Sequence, residues 1–466
     1  MLIRNRLFRR GNLLPLITGA VEDRSARGIA AAVSRLITAG RLPAGERLPT
    51  VRAVAGSLRV SPTTVSEAWR NLTLAGAIQT RGRSGTYVAG PSPPRFTRLG
   101  RPPVTLALDL STGVPDPALL PDLSDALRRA GDGRWAGSYL DEPVLPGLEE
   151  VLRERWPFPP ERLTVVDGAL DALDRIVAAT LRYGDHVLVE NPTFPPLLDL
   201  LQAAGATVHG VPLDESGMDP VVLRRLVAER RPAALFLQPR AQNPTGVSMT
   251  TKRAAAIARI LRDAPHVLVV EDDHAGDIAS APPISLGSYL PRRVVHVAGF
   301  SKSHGPDLRL AAIGGPATVV EQVIERRLIG PGWTSRLLQG VLLDLLTSPE
   351  VADRIAAARN AYAERRITLL AALAERGVTA SAADGINLWM SVPDQQNAMV
   401  TLAAHGIGAA PGAPFLVTPL GTDHLRITAG LVAGGHDDLA GALASAAVQL
   451  GRGSGPRGRG HPRGLM

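Results

Sequence analysis

Four short apolar runs constrain the fold of this chain more than any other feature: HVLVE (186–190), AALFLQP (233–239), HVLVVEDD (266–273) and VVHVAGF (294–300). Each is short, continuous and apolar, and helical sequence lies between them. A strand that is apolar at nearly every position is buried on both faces, and a sheet buried on both faces is covered by helices. The stretch from about 106 to 450 is therefore predicted to be an α/β domain with a mostly parallel sheet and helices on both faces. The chain has 466 residues, of which 45% are hydrophobic, enough for this domain and at least one more. Cysteine is absent, so disulfides and thiolate metal sites are excluded, and no metal site is expected. No apolar run approaches the ~20 residues that span a bilayer. Met1 to Arg10 is basic but is followed by no secretory cleavage pattern. These features predict a cytoplasmic protein without a membrane partner.

Charge is unevenly placed. Residues 1–90 hold 14 arginines, no lysine and four acids (Glu22, Asp23, Glu46 and Glu67), and residues 451–466 add four arginines and no acid. The whole chain is only +8, so the stretch between is net acidic. A basic head on an acidic body suggests that the head meets a polyanion; a solvated basic surface is the plain alternative. The chain has two lysines, Lys252 and Lys302, against 49 arginines. Arginine stays protonated and cannot act as an amine nucleophile, so a retained lysine suggests a task that arginine cannot do.

The spacing divides the chain into an N-terminal arm (1–24), a helical head closed by a hairpin (25–90), a Pro- and Gly-rich linker (91–105), the α/β body (106–450) and a basic low-complexity tail (451–466). In the head, helical periodicity covers Ala26 to Ala39. Thr50 caps a second helix, and Ser61, with Pro62 at the first position, caps a third. Two short strands then flank the loop Arg81-Gly82-Arg83-Ser84-Gly85. Three helices and a basic hairpin make a winged helix. Its third helix exposes Thr63, Thr64, Ser66 and Glu67, short polar groups suited to base edges and phosphates. Arg52, Arg81 and Arg83 suit phosphates or a minor groove. A three-helix protein-interaction domain is the alternative.

In the body, Lys302 follows the run 294–300 and could hold an aldehyde cofactor as a Schiff base; in isolation it would be a surface lysine. Arg309, seven residues on, could grip a phosphate with its forked donors. Asp272 ends a strand, facing the crevice where open α/β sheets bind ligands, or simply capping a turn. Asn243, in Asn-Pro-Thr-Gly, could donate to a phenolate oxygen, although the same residues spell a turn. Gly168 and Ala169 open a helix whose backbone N–H groups could bind phosphate.

The stretch LPAGERLPTVRAVAGSLRVSPTTVSEAWRNLTLAGAIQTRGRSGTYV resembles the GntR winged-helix family along its whole length. In their order and spacing, DGAL, NPTG, EDD and GFSKSHGPDLRL resemble fold-type I, class I aminotransferases over about 110–430. The joined chain resembles the MocR subfamily of regulators over about nine-tenths of its length. The resemblance implies that Arg52, Thr63, Thr64 and the wing contact double-stranded operator DNA. It implies that Lys302 is the Schiff-base lysine of pyridoxal 5′-phosphate (PLP) and that Asp272 pairs its pyridinium. Asn243 would bond its O3′ oxygen and Phe194 would stack on its ring. Gly168, Ala169, Ser301 and Arg309 would hold its phosphate, with Tyr139 reaching the phosphate of the partner subunit in a homodimer. Arg426, with Gly113 beside it, would take the α-carboxylate of an amino acid or amine effector.

Three positions depart from the family pattern. His274 replaces the usual Tyr two residues after the pyridinium Asp; a ring N–H can make the same bond, and titration near neutral pH would make cofactor binding pH-sensitive. Gly299 replaces a Ser or Thr, removing one phosphate hydroxyl. Pro196 stands where some relatives carry an Arg that reads an acidic effector. The expected function is a PLP-dependent regulator in which PLP, or its adduct with an amino compound, modulates DNA binding. The alternatives are an active aminotransferase with an appended DNA-binding domain, and a body that has lost its cofactor and only dimerises.

Overall fold

The computed structural model describes residues 13–38, 41–43, 45–74, 78–80, 85–88, 106–133 and 141–447. The linker, the tail, Tyr139, Arg81 and Arg83 lie outside them. The chain divides into two units, 1–97 and 98–466.

In the first unit, α1 (Leu13–Gly19), α2 (Ala26–Thr38), α3 (Val51–Leu58) and α4 (Pro62–Leu74) enclose one core of Ile17, Ile29, Val33, Leu36, Val54, Leu58, Val65, Trp69 and Leu72. The stretch expected to be an arm thus contributes a helix, and Ile17 on it is fully buried. Thr50 caps α3 by accepting from Ala53 N, and Ser61 Oγ accepts from Thr64 N at the start of α4. Between them Arg59 takes a left-handed conformation (φ 55°), which reverses the chain in a tight turn. Strands β1 (Ile78–Thr80) and β2 (Thr86–Val88) pair antiparallel, and Arg47 bridges to Tyr87 at the outer side of β2.

The second unit begins with β3 (Leu108–Asp109) and is built on eight strands. These are β4 (Arg162–Val166), β5 (His186–Asn191), β6 (Thr207–Asp214), β7 (Gly217–Met218), β8 (Ala234–Leu237), β9 (Leu268–Asp273), β10 (Val294–Gly299) and β11 (Ala311–Gly315). Their order is β4-β11-β10-β9-β8-β5-β6-β7, and only β11 and β7 run against the rest. Helices cover both faces, as the continuous apolar runs require. Side chains of α5 (Ser124–Gly131), α6 (Pro146–Arg155), α9 (Pro220–Arg230), α10 (Thr251–Arg262) and α12 (Arg336–Thr347) pack on Leu163, Leu188, Leu235, Val269 and Val294. Those of α7 (Ala169–Thr180), α8 (Pro195–Ala203) and α11 (Ala317–Leu328) pack on Val187, Val189, Phe236, Val270 and Val295.

The 27-residue helix α13 (Pro349–Glu375) leads to a smaller lobe. There β12 (Ala380–Ser381), β13 (Leu388–Val392), β15 (Ala410–Pro411) and β16 (Asp423–Ile427) form an antiparallel sheet in the order β12-β13-β16-β15. With α14 (Gln395–Ala404) and α15 (His436–Ala447) they bury Leu388, Met390, Leu402, Leu425, Ile427 and Leu443. Strand β14 (Ile407–Gly408) pairs parallel with β3, returning the lobe to the start of the unit. Among the described residues no helix is long and apolar enough to cross a membrane.

Candidate functional site

Parallel strands end on one edge of a sheet, and the loops that leave that edge share a crevice. Here β4 leads into Asp167-Gly168-Ala169, β5 into Pro192–Phe194, β8 into Gln238–Gly246, β9 into His274, and β10 into Lys302. Nearly every residue selected from the sequence of the body therefore comes to the same edge. Arg426 comes from β16 of the smaller lobe and Gly113 from the segment after β3.

Lys302 Nζ donates to the carbonyl of Gly113 at 2.6 Å. Gly113 has φ 65° and donates its N–H to Thr428 Oγ1 at 2.9 Å. A Cβ at this position would lie 2.9 Å from Arg426 Nη1, so conformation and space both demand glycine. Arg426 is buried; it donates to the carbonyl of Ser111 and lies 3.5 Å from Asn243 Oδ1. The Lys302 amine, the Arg426 guanidinium and the Asn243 amide are thus brought together around Gly113.

A second cluster stands at the N-terminus of α7. Gly168 (φ 105°) caps this helix with no side-chain hydrogen bond, leaving its first N–H groups free of a capping side chain. A Cβ on Gly168 would lie 2.8 Å from Arg309 Nη2, and Arg309 donates to the carbonyl of Asp167. Glycine at 299 keeps open the space between His274 and Ala169: a Cβ there would be 3.4 Å from His274 Cα and 3.7 Å from Ala169 Cβ. Backbone donors, a forked cation and a glycine cradle suit a phosphate. Ser301 is half-buried beside Lys302 in sequence, and Phe194 is half-buried at the N-terminus of α8.

Burial sets the charges. It pulls the Lys302 amine down to about 8, aided by the positive charge of Arg426, and so makes neutral amine available near neutral pH. Burial pushes the Asp272 carboxyl up to about 6 against the hydrogen bond from Gln238. Arg426 is drawn down to about 10, also by burial. Contrary to the expectation from its residue type, His274 does not titrate near neutral pH. Burial, reinforced by the charge of Lys302, lowers it to about 4, so it stays neutral across the ordinary pH range and is no neutral-pH switch. Asp272 Oδ1 and His274 Nδ1 are both buried without a hydrogen-bond partner.

Behind the recess, burial raises Glu190 to about 8, opposed by hydrogen bonds from Gln238 N and Gln242 Nε2. Between pH 4.5, where the free carboxyl titrates, and about 8, the folded protein holds a proton that the unfolded chain has lost. The contribution of Glu190 to stability is therefore greatest below pH 4.5 and falls as pH rises toward 8. Glu190→Gln is expected to match the wild type near pH 5 and to exceed it above pH 8 by on the order of 3–5 kcal/mol, read from urea melts across that range.

In the winged unit, Arg52, Thr63 and Ser66 are exposed. Thr64 is half-buried, with its hydroxyl 2.8 Å from Ser61 Oγ. Sequence reasoning missed Arg47, whose guanidinium lies against Gly85, the residue that precedes β2. It also missed Thr428 and Gln238, whose partners are distant in the chain.

Residues 106–443 match the family described as aminotransferase class I and II, and residues 25–88 match the bacterial regulatory proteins of the gntR family. The vitamin B6 salvage pathway transcriptional repressor PtsJ of Salmonella typhimurium is 36% identical over 88% of this chain and 95% of its own length. The HTH-type transcriptional regulator TauR of Rhodobacter capsulatus is 28% identical over 82% of this chain and 88% of its own. Among solved structures, an archaeal alanine:glyoxylate aminotransferase matches 74% of this chain and 91% of its own with a TM-score of 0.68 at 22% identity. LysN, the α-aminoadipate aminotransferase of Thermus thermophilus, matches 73% of this chain and 92% of its own with a TM-score of 0.65 at 24% identity. At such identities the solved structures establish the fold of the larger unit, which is that of the aminotransferases.

Proposed function

The chain belongs to the MocR-type transcription regulators, in which a GntR-family head is joined to an aminotransferase class I and II domain, and from that premise we propose that its body binds PLP and that PLP modulates the grip of the head on DNA. The observation that carries this reading is the pair of buried, unpartnered atoms, Asp272 Oδ1 and His274 Nδ1, in the crevice that also holds the Lys302 amine. A polar atom buried without a partner costs free energy, and a ligand in this crevice that supplies complementary groups would satisfy both. Bound PLP supplies an aldehyde for condensation with an amine and a protonated ring that withdraws electrons.

In this reading Lys302 offers its amine to the aldehyde carbon. Asp272 faces the ring nitrogen with its free oxygen, and Asn243 and neutral His274 bond the phenolic oxygen. Phe194 stacks on the ring. Gly168, Ala169, Ser301 and Arg309 receive the phosphate, joined by the partner subunit's Tyr139. Arg426, with Gly113 fixing the backbone beside it, receives the carboxylate of an amino compound. Arg52, Thr63, Thr64, Ser66, Arg81 and Arg83 meet the DNA. A homodimer would present two heads to two half-sites, in the cytoplasm where the DNA is. The likeness to a vitamin B6 salvage repressor supports PLP itself as the signal and repression as the sense.

The test is fluorescence anisotropy of the full-length protein on a duplex from the region upstream of its own gene, with and without PLP. PLP is expected to change the affinity of the wild type but not of Lys302→Ala. Arg52→Ala should weaken DNA binding under both conditions. Equal responses of wild type and Lys302→Ala to PLP would defeat the reading. Transamination is a second reading, favoured by the convergence of Lys302, Asp272 and Arg426 in one crevice. Steady keto-acid formation from an amino donor at an ordinary enzymatic rate would establish it.

A further inference from the structure

The two oxygens of Asp272 are not equivalent. Oδ2 accepts from Gln238 Nε2 at 2.7 Å, whereas Oδ1 is buried with no partner. Gln238 itself is fixed at three points. Its main-chain N–H donates to Glu190 Oε2 at 3.1 Å, and its side-chain oxygen accepts from the main-chain N–H of Asn243 at 2.8 Å. A main-chain N–H can only donate, so the amide oxygen must face Asn243 and the amide NH2 must face Asp272. The side chain cannot flip without losing both bonds. All four residues are buried.

We propose that Gln238 is a positioning residue of the cofactor site, which occupies one oxygen of Asp272, holds that carboxylate anionic, and presents the other oxygen alone to the ring nitrogen of PLP. The proposal rests on the PLP-binding reading above. A donor to a carboxylate favours its charged form, and it does so most where burial disfavours charge. Glu190, Asp273, His296 and Lys302 are the other titratable groups near Asp272, from β5, β9, β10 and the turn after β10. Asp273 opposes ionisation of Asp272, whereas His296 and Lys302 favour it. Glu190 is a supporting acceptor: it needs only an oxygen toward Gln238 N and Gln242 Nε2, which a glutamine also offers. The same amide braces the main chain of Asn243, so one side chain sets both the pyridine and the phenolic ends of the site. Sequence gave no hint of this role, because a glutamine after an apolar strand has no distinguishing pattern.

The experiment is a visible-absorbance titration of full-length protein with PLP at fixed ionic strength from pH 5.5 to 8.5. Gln238→Met removes the donor at similar volume, and Gln238→Leu removes it with a branched apolar side chain; melts and gel filtration confirm folding. Both are expected to bind PLP more weakly by roughly tenfold to a hundredfold near neutral pH. The acid-side loss of affinity should set in higher than in wild type, by on the order of one pH unit, because Asp272 then protonates more readily. Wild-type affinity with an unmoved midpoint in both variants overturns the proposal while PLP binding stands. Weaker binding with an unmoved midpoint assigns Gln238 to packing and also overturns it. A wild type that gives no PLP-dependent band removes the PLP-binding reading and this proposal with it. If Gln238→Met does not fold, Gln238→Leu decides.

Discussion

Lys302→Ala is expected to abolish the visible absorption band that PLP produces with the wild-type protein. Borohydride is expected to fix the cofactor's mass onto the wild type at Lys302 and nowhere else. The chain makes this test unusually clean, since its only other lysine is Lys252, exposed in the first turn of α10. With its amine lowered to about 8, Lys302 at pH 7 holds neutral amine at roughly three hundred times the fraction of an ordinary lysine. The substitution removes a buried cation beside another, Arg426, and one donor to the carbonyl of Gly113. Two buried like charges oppose folding, so the variant should melt no earlier than the wild type. Loss of the band in a folded protein then reports lost chemistry. A band that survives, or reduction at Lys252, would remove Lys302 from the site.

Lys302 was legible because its chemistry demands a residue type that this chain otherwise nearly excludes. The central strands were legible for a different reason. Burial on both faces leaves little room for polar positions to break the run; β8, β9 and β10 fall within three of the apolar stretches, and β5 runs one residue past the fourth. The smaller lobe yields no such signal. Strands β12, β14 and β15 are two residues each, too short for any periodicity to rise above chance. Helix α1 carried a cue, Pro15 in the first turn among Leu13, Leu14, Leu16 and Ile17, but seven residues fall below the length at which a helical period is distinguishable. Within the site, residue types were legible and partners were not. Thr428 holds Gly113 across 315 positions, and Lys302 meets Gly113 across 189. His274 shows the limit most directly. Its residue type suggests a neutral-pH switch, and only its burial beside Lys302 reveals a ring that stays neutral.

Asp272→Asn is expected to move two measurements in opposite directions. Without PLP the protein should become more stable near pH 7, because asparagine removes a buried carboxylate. Asp272 titrates near 6 when folded against 3.8 when free, so its contribution to stability falls as pH rises through that interval. The relief should be about 3 kcal/mol at pH 7, vanish below pH 3.8, and appear in paired urea melts. PLP affinity should fall meanwhile, because a buried cation on the ring nitrogen would lose its counter-charge. Removing one member of a buried ion pair costs about 3–5 kcal/mol, or two to three and a half orders of magnitude in Kd. Packing defects lower stability and affinity together, so they cannot imitate this pattern. A group kept charged in a buried place at the expense of the empty fold is one whose charge is needed by a ligand. If Asp272→Asn leaves the affinity unchanged while raising the stability, the carboxylate faces no cation, and the crevice is not built around a pyridinium.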